Sequence, residues 1–381
     1  DASADPVRLL GGVQVLMGLT ALLSLPVFLS SFDLMAGLVG SFSGRPGGYH
    51  VLNLGRFGLS LMVMLPSTIL AGMTLPLVTG SLMRAGAGER TIGYVYGVNT
   101  VGSVVGAGLA GLLLLPVLGL ERLITVGAAV DVVLGLWLLE RAGRWSGRGM
   151  GALRLAGAAS ALLFVGVPVG VELSPITLTS GVYRLGQVVD EDVRESLFYR
   201  DGRTSTVSAY MARNDGLIVL STNGKPDASL LPRWVVLGRD TLPRTPIPAG
   251  GDFTTQVLGP AVGLAHRPNA RSIANIGHGS GMTAASFLTS PVLERLVTIE
   301  IEPLMVEGSL VFLPANATAF NDPRSSYVFD DAKSFFAYQQ ERFDIVFAEP
   351  SNPWVSGTAG LFTREFYQRI VDFMSEDGVL A

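Results

Sequence analysis

The stretch Ser272–Glu302, SIANIGHGSGMTAASFLTSPVLERLVTIEIE, leaves few folds open to the chain that carries it. A short apolar run, Ile273–Ile276, suits a buried strand. Gly277, Gly279 and Gly281 then form a G-x-G-x-G turn. The small residues of Met282–Leu288 suit a helix, and a second apolar strand, Leu296–Ile301, ends at Glu300 and Glu302. Strand, turn, helix, strand and terminal acid in this order make the first βαβ unit of a doubly wound sheet, with an acid ~20 residues beyond the turn. Glycines let the backbone turn tightly and let a ligand approach closely, while a carboxylate can accept from both hydroxyls of a ribose. A Gly-rich turn by itself also serves as a plain strand–helix loop. The terminal acid in register is what points to a nucleotide or nucleoside.

The first half of the chain reads differently. Only 15% of the 381 residues are charged and 49% are hydrophobic, with mean hydropathy +0.45, against about 25% charged in an ordinary soluble domain. Five apolar runs account for this: Leu9–Phe32, Phe57–Leu82, Ile92–Leu118, Leu123–Leu139 and Leu153–Val171. Each approaches or exceeds the ~20 residues that cross a bilayer as a helix. The expected organisation is a membrane α-helical segment over 1–172, a small antiparallel β-sheet with a linker over 173–250, and an α/β Rossmann-like domain over 251–381. Membrane lipid is thus an expected partner. Net charge −4 gives no reason to expect nucleic acid. Cysteine is absent, which excludes disulfides and thiolate chemistry, and the three histidines are too scattered for a metal cluster. No signal peptide is visible, and a start at Asp1 is expected of a processed or partly represented protein.

Within the runs, Gly102, Gly106 and Ala110 stand four apart, a spacing that lets a neighbouring helix approach closely. Asp131 is central to the fourth run. A carboxylate there marks either a functional site or a protonated side chain bonded to a facing helix, and a single such group argues against independent transport. Arg141, Arg144, Arg148 and Arg154 make the loop before the fifth run the most basic, with Arg84 and Arg90 in another. By the positive-inside rule both loops are cytoplasmic, and five crossings then place the C-terminal half on the exoplasmic side of a bacterial inner membrane.

Beyond Ser174 the composition changes. Glu195–Arg200, Arg203–Ala212 and Leu217–Thr222 read as strands separated by Asp201-Gly202 and Asn214-Asp215-Gly216, with a third turn at Asn223-Gly224 and the sheet ending near Leu230. The Pro-rich Leu242–Gly251 reads as a linker. After Asp252, helices are expected at Phe253–Leu264, Glu302–Leu313, Ala332–Gln339 and Thr363–Met374. Strands are expected at Tyr327–Phe329 and Phe343–Ala348, with a last one starting at Gly378. Glu300, Asp331 and Glu349 then all fall at strand ends on the carboxyl edge, where open α/β sheets bind ligands.

From about Thr177 onward the chain resembles the spermidine synthase (polyamine aminopropyltransferase) family, and with its apolar half it is similar to the membrane-fused members. LSTNGKPDAS, IGHGSG, VTIEIEP, DDAKSFF and EPSNPWVSGTAGLFTREFY occur in family order, and AGMTLPLV and YGVNTVGSVVGAGLAG resemble the fused subgroup. The resemblance implies a class I methyltransferase-like fold and a site for decarboxylated S-adenosylmethionine or S-adenosylmethionine as donor, without a metal. It implies that Glu300 holds the ribose hydroxyls, that Asp331 accepts from the adenine amino group, that the backbone of Gly277, Gly279 and Gly281 passes under the sugar, and that Gln256 faces the ligand. The alternative for Asp331 is a helix N-cap.

The same resemblance marks departures on the reactive side. Ser280 stands where the family turn carries an Asp, Glu349 where it has its catalytic Asp, Asn352 where a second Asp grips the diamine, and Thr255 where a Tyr faces the acceptor. Glu349 remains a candidate general base, while Asn352 and Thr255 make a diamine site with less charge. Two readings follow. One is a membrane-anchored aminopropyl- or methyltransferase with a degenerate diamine site. The other is a non-catalytic subunit of a membrane complex, hetero- or homo-oligomeric, that retains the fold. A parallel strand ending at Ala381 also leaves an apolar sheet edge that further chain or a partner is expected to cover.

Overall fold

The computed structural model describes residues 5–146, 150–171, 173–231, 252–349, 353 and 358–381. The proline-rich 242–251 stretch and Asn352 lie outside the described residues. The chain divides into two compact units, Asp1–Val188 and Val189–Ala381.

The first unit is helical: α1 (Pro6–Phe42), α2 (Gly48–Arg84), α3 (Arg90–Leu109), a π-helical turn (Ala110–Leu114), α4 (Leu115–Ser146), α5 (Met150–Gly170) and the short α6 (Pro175–Leu178) and α7 (Val182–Leu185). Among the described residues, three stretches are long and apolar enough to cross a membrane, Pro6–Phe42, Gly48–Arg84 and Arg90–Ala142, rather than the five runs of the sequence, while Leu155–Gly170 is a shorter apolar helix. The third stretch holds both the third and the fourth apolar runs of the sequence. They are separated by a break at Gly119, whose φ of 74° and ψ of 170° no helix contains. Close helix packing occurs elsewhere than the small-residue stripe suggests. A Cβ on Gly102 or Gly106 would meet nothing within 4 Å, whereas one on Gly18 would lie 2.5 Å from the Ala128 carbonyl oxygen. One on Gly135 would lie 2.7 Å from that of Gly11. Backbone approach between α1 and α4 therefore selects glycine, and Asp131 sits on that contact, opposite Gly18.

The second unit contains two sheets. β1 (Arg194–Asp201), β2 (Thr206–Ala212), β3 (Ile218–Thr222) and β4 (Lys225–Leu230) form an antiparallel meander in sequence order. Asn223, at φ 48°, and Gly224, at φ 72°, supply the positive φ that the β3–β4 hairpin needs. After α8 (Phe253–His266) comes the parallel sheet: β5 (Ser272–Ile276), α9 (Met282–Phe287), β6 (Arg295–Ile299), α10 (Pro303–Gly308), α11 (Ala317–Asn321), β7 (Ser325–Val328), α12 (Ala332–Tyr338), β8 (Phe343–Ala348), α13 (Arg364–Val371) and β9 (Met374–Leu380). The strand order is β7-β6-β5-β8-β9. The chain leaves β5 first to one side and later to the other, so the topological switch lies between β5 and β8 at their carboxyl ends.

Near-continuous apolar strands are buried on both faces, as parallel sheets require. Ile273, Leu296, Ile345 and Phe287 form the core on one face, and Ala274, Val297, Val346, Phe336 and Ile370 on the other. A third core joins the antiparallel sheet, through Val207, Leu220 and Leu230, to Met305 and Phe312 after β6. The final strand begins at Met374, where the sequence pattern suggests helix. Its pairing with β8, Phe343 to Met374 and Val346 to Leu380 across an irregularity, overrides the polar Ser-Glu-Asp-Gly content.

Candidate active site

All three glycines of the β5–α9 turn hold positive φ, 93° at Gly277, 53° at Gly279 and 82° at Gly281. Such values are strained for any side-chain-bearing residue. The turn lies close against the end of β8, since a Cβ on Gly277 would stand 3.6 Å from the Glu349 carbonyl oxygen. The structure thus brings the glycines and Glu349 together from positions some 70 residues apart.

Glu300 sits just beyond the end of β6 and is 7% exposed. Each of its carboxylate oxygens is held by one backbone donor, Oε2 by the His278 N–H at 2.9 Å and Oε1 by the Glu302 N–H at 2.9 Å. A carboxylate has about four lone-pair directions, so capacity for a further donor remains. Burial raises the Glu300 pKa above the usual carboxylate value, and the backbone N–H groups of Glu302, His278 and Ile301 pull against that rise.

Glu302, the other acid of the strand end, is committed elsewhere. Its carboxylate accepts from the Thr204 N–H and the Thr204 hydroxyl, both at 2.8 Å, and from the Leu304 N–H at 3.2 Å as the cap of α10. A Cβ on Gly202 would come within 2.5 Å of that carboxylate, so the β1–β2 turn is seated directly on it. Arg200 and Glu307 pair at 2.7 Å beside the same seat. Of the two acids, Glu300 is the one left for a ligand.

Glu349 follows β8. Its Oε2 accepts from the Thr283 hydroxyl at 3.2 Å. Desolvation raises its pKa, hydrogen bonds from Thr283 and Thr255 lower it, and the negative charge of Asp252 raises it again. The single hydroxyl proton of Thr255 is shared between Glu349 and the Asp252 carbonyl, 2.8 Å away, and the Asp252 carboxylate accepts from Ser229 at 3.1 Å. Ser280 is buried, and its hydroxyl donates to Gln256, itself 4% exposed. Gln256 is therefore bound to the Gly-rich turn through Ser280, a pairing of two neutral groups. Asp331 caps α12, accepting from the Ser334 N–H at 3.4 Å through Oδ2, which leaves Oδ1 for another donor. Asp330 is taken up by the Asp331 N–H at 2.8 Å and the Tyr338 hydroxyl at 3.0 Å.

Glu300, Glu349, Gln256 and the glycines thus converge around one turn, with Asp331 on the same carboxyl edge. Sequence reasoning did not single out Thr204, Thr283, Asp252, Ser309 or Asn316. Each acts through a partner distant in the chain, for which the sequence carries no signal. His278 was visible inside the G-x-G-x-G motif itself.

Chemically, the arrangement offers a buried carboxylate able to take a hydroxyl donor, a side-chain-free glycine floor beside it, and a second carboxylate of raised pKa across the turn. Residues 254–381 match the spermine/spermidine synthase domain. The polyamine aminopropyltransferase of Clostridium perfringens is 33% identical over 119 residues, 31% of this chain and 42% of that protein. That of Thermotoga petrophila is 30% identical over 114 residues, 30% of this chain and 38% of that protein. The chain therefore spans about two-fifths of the curated relatives it matches. The solved spermidine synthase of Thermotoga maritima superposes with a TM-score of 0.39 at 21% identity, covering 49% of this chain and 55% of that one.

Proposed function

We propose, from the match of residues 254–381 to the spermine/spermidine synthase domain, that the chain is a spermidine synthase-like transferase that moves an aminopropyl group from decarboxylated S-adenosylmethionine to an amine acceptor. The observation that carries this reading is Glu300, buried at the carboxyl edge of the parallel sheet with a backbone donor fixed on each oxygen and acceptor capacity left for a ribose hydroxyl. The backbone of Gly277, Gly279 and Gly281 gives the sugar close approach, and the free oxygen of Asp331 takes the adenine amino group.

In the transfer, the amine lone pair attacks the carbon next to the sulfonium. The C–N bond forms, the C–S bond breaks, and its electron pair stays on sulfur as a neutral thioether. The proton released by the new ammonium passes to Glu349. Such an in-line displacement needs positioning more than covalent assistance. A raised pKa suits Glu349 to take a proton from an amine, since it narrows the gap between base and acid.

The acceptor side lacks the charge that a short diamine requires. Ser280 is neutral and tied to Gln256, and Thr255 donates to a backbone carbonyl. Putrescine is accordingly expected to be a poor acceptor. The test is an assay of the full chain with decarboxylated S-adenosylmethionine and a panel of amines, reading thioether release by mass spectrometry. Release with another amine but little with putrescine supports the proposal. Robust spermidine formation would show that Glu349 alone holds a diamine, and no release with any amine, from a protein that binds the donor, would remove the transferase reading.

The helical unit is proposed as a membrane anchor, supported by the length and apolarity of Pro6–Phe42, Gly48–Arg84 and Arg90–Ala142. The exposed apolar side chains Leu54, Phe57, Val104 and Leu112 suit contact with lipid tails. The protein is expected to sediment with membranes and to stay there through alkaline carbonate extraction. Release into the supernatant would refute the anchor.

A further inference from the structure

We infer that His278 is the positioning residue for Glu300: its ring, locked beneath the Gly-rich turn, fixes the peptide N–H that orients the ribose-binding carboxylate. This inference rests on the nucleoside reading of the site and goes beyond it by naming what holds that site in shape.

His278 is 2% exposed. Its ring Nε2 lies 2.7 Å from the Ser309 hydroxyl oxygen, and that hydroxyl in turn donates to the Val306 carbonyl at 2.8 Å. With the hydroxyl hydrogen so used, Ser309 can only accept from His278. The ring is therefore the Nε2–H tautomer, with a bare lone pair on Nδ1. Consistent with this, Nδ1 has no partner among the described residues. Burial drives the His278 pKa down to about 3, so the neutral ring and its single tautomer persist across the working pH range.

The ring is also wedged sterically. Phe320 and Tyr327 meet it edge-on, with centroids 5.7 Å and 5.3 Å away. On its other side, a Cβ at Gly281 would approach its Cε1 to 3.0 Å and its Nε2 to 3.2 Å, so the last glycine of the motif makes room for this ring as well as for the turn. Asn316 closes the arrangement, donating to the carbonyls of Ser280 at 2.7 Å and Ser309 at 2.9 Å. The ring is thus tied to the 3-10 turn Ser309–Phe312 that follows α10, while the backbone N–H of His278 holds Glu300 Oε2 at 2.9 Å. If the ring is lost, the peptide that points at Glu300 is free to rotate, and the carboxylate loses one of its backbone supports. A residue that acts in this way alters ribose recognition rather than nucleoside binding in general.

The experiment measures binding of 5′-methylthioadenosine and of its 2′,3′-dideoxy counterpart to the purified full chain by calorimetry. Native protein should prefer the diol. His278→Ala should weaken the diol ligand about tenfold, the scale of one charge-assisted hydrogen bond, and leave the dideoxy ligand within about twofold. His278→Gln, which keeps an N–H able to reach Ser309, should recover most of the loss. Ser309→Ala, a milder change that leaves the ring in place, should shift the diol ligand in the same direction by a smaller factor, and it provides the test where His278→Ala does not fold. Equal weakening of both ligands, or none, in either alanine variant would overturn the positioning role. Native protein that binds neither ligand would remove the nucleoside reading and this inference with it. Native protein that binds both equally would refute the diol role of Glu300 and leave His278 nothing to position.

Discussion

Replacing Glu349 with Gln should lower the transfer rate by about 10²–10⁴-fold, the range typical of a lost general base. Donor affinity should stay within about twofold, because the side chain acts on the acceptor's proton and makes no donor contact in the proposed arrangement. The pH profile gives the sharper signature. In the proposed transfer Glu349 works as the carboxylate, and desolvation holds its pKa above the ordinary glutamate value, with Asp252 adding to the rise. The rate should therefore climb as pH rises through that raised pKa, and this acidic limb should vanish in the Gln variant. Stability moves in the opposite sense. A carboxyl group whose folded pKa is raised contributes stability that is present below its unfolded value and lost as pH rises through the folded value. The melting temperature of the native chain minus that of Glu349→Gln should accordingly fall across this window. An unchanged acidic limb in the variant would assign the base to another group.

Glu300→Ala should weaken binding of decarboxylated S-adenosylmethionine by about 1.5–3 kcal/mol, a factor of roughly 10–150 in Kd. The hydroxyl partner is lost, and the N–H groups of His278 and Glu302 lose their acceptor at a site where water has limited access. Glu302→Ala serves as the contrast. Its carboxylate holds Thr204 and Leu304, so its removal should show mainly as a lower melting temperature. Titration calorimetry with each variant separates the two roles. Affinity unchanged in Glu300→Ala would mean that the ribose is held elsewhere.

The contrast between these two glutamates shows how far the linear pattern reaches. Both stand at the end of the same apolar strand, two residues apart, and two residues apart is one face of a strand continued. Periodicity cannot rank them. The choice is made by Thr204, about a hundred residues earlier, whose hydroxyl and N–H occupy Glu302 once the antiparallel sheet docks through Val207, Leu220 and Met305. Ser280 gives a second case. The sequence shows a hydroxyl in the turn, but only packing reveals that it is turned toward Gln256 on α8.

Sequence by itself determined what depends on near neighbours. It located the βαβ unit, because β propensity, positive-φ glycines and a terminal acid are all local signals. It located the carboxyl-edge acids Glu300, Asp331 and Glu349, because strand ends follow from where apolar runs stop. It also located the apolar helices, because length and composition suffice for them, although the break at Gly119 depends on a backbone conformation that composition does not show. Tertiary structure decided everything that depends on a partner far along the chain. The register of β9 on β8, the commitment of Glu302, and the seat of His278 between Ser309, Phe320 and Tyr327 are contacts over 30 to about 100 residues. Each is made by burial and hydrogen-bond satisfaction, which act on distance in space, and a chain of side-chain identities does not contain those distances until it has folded.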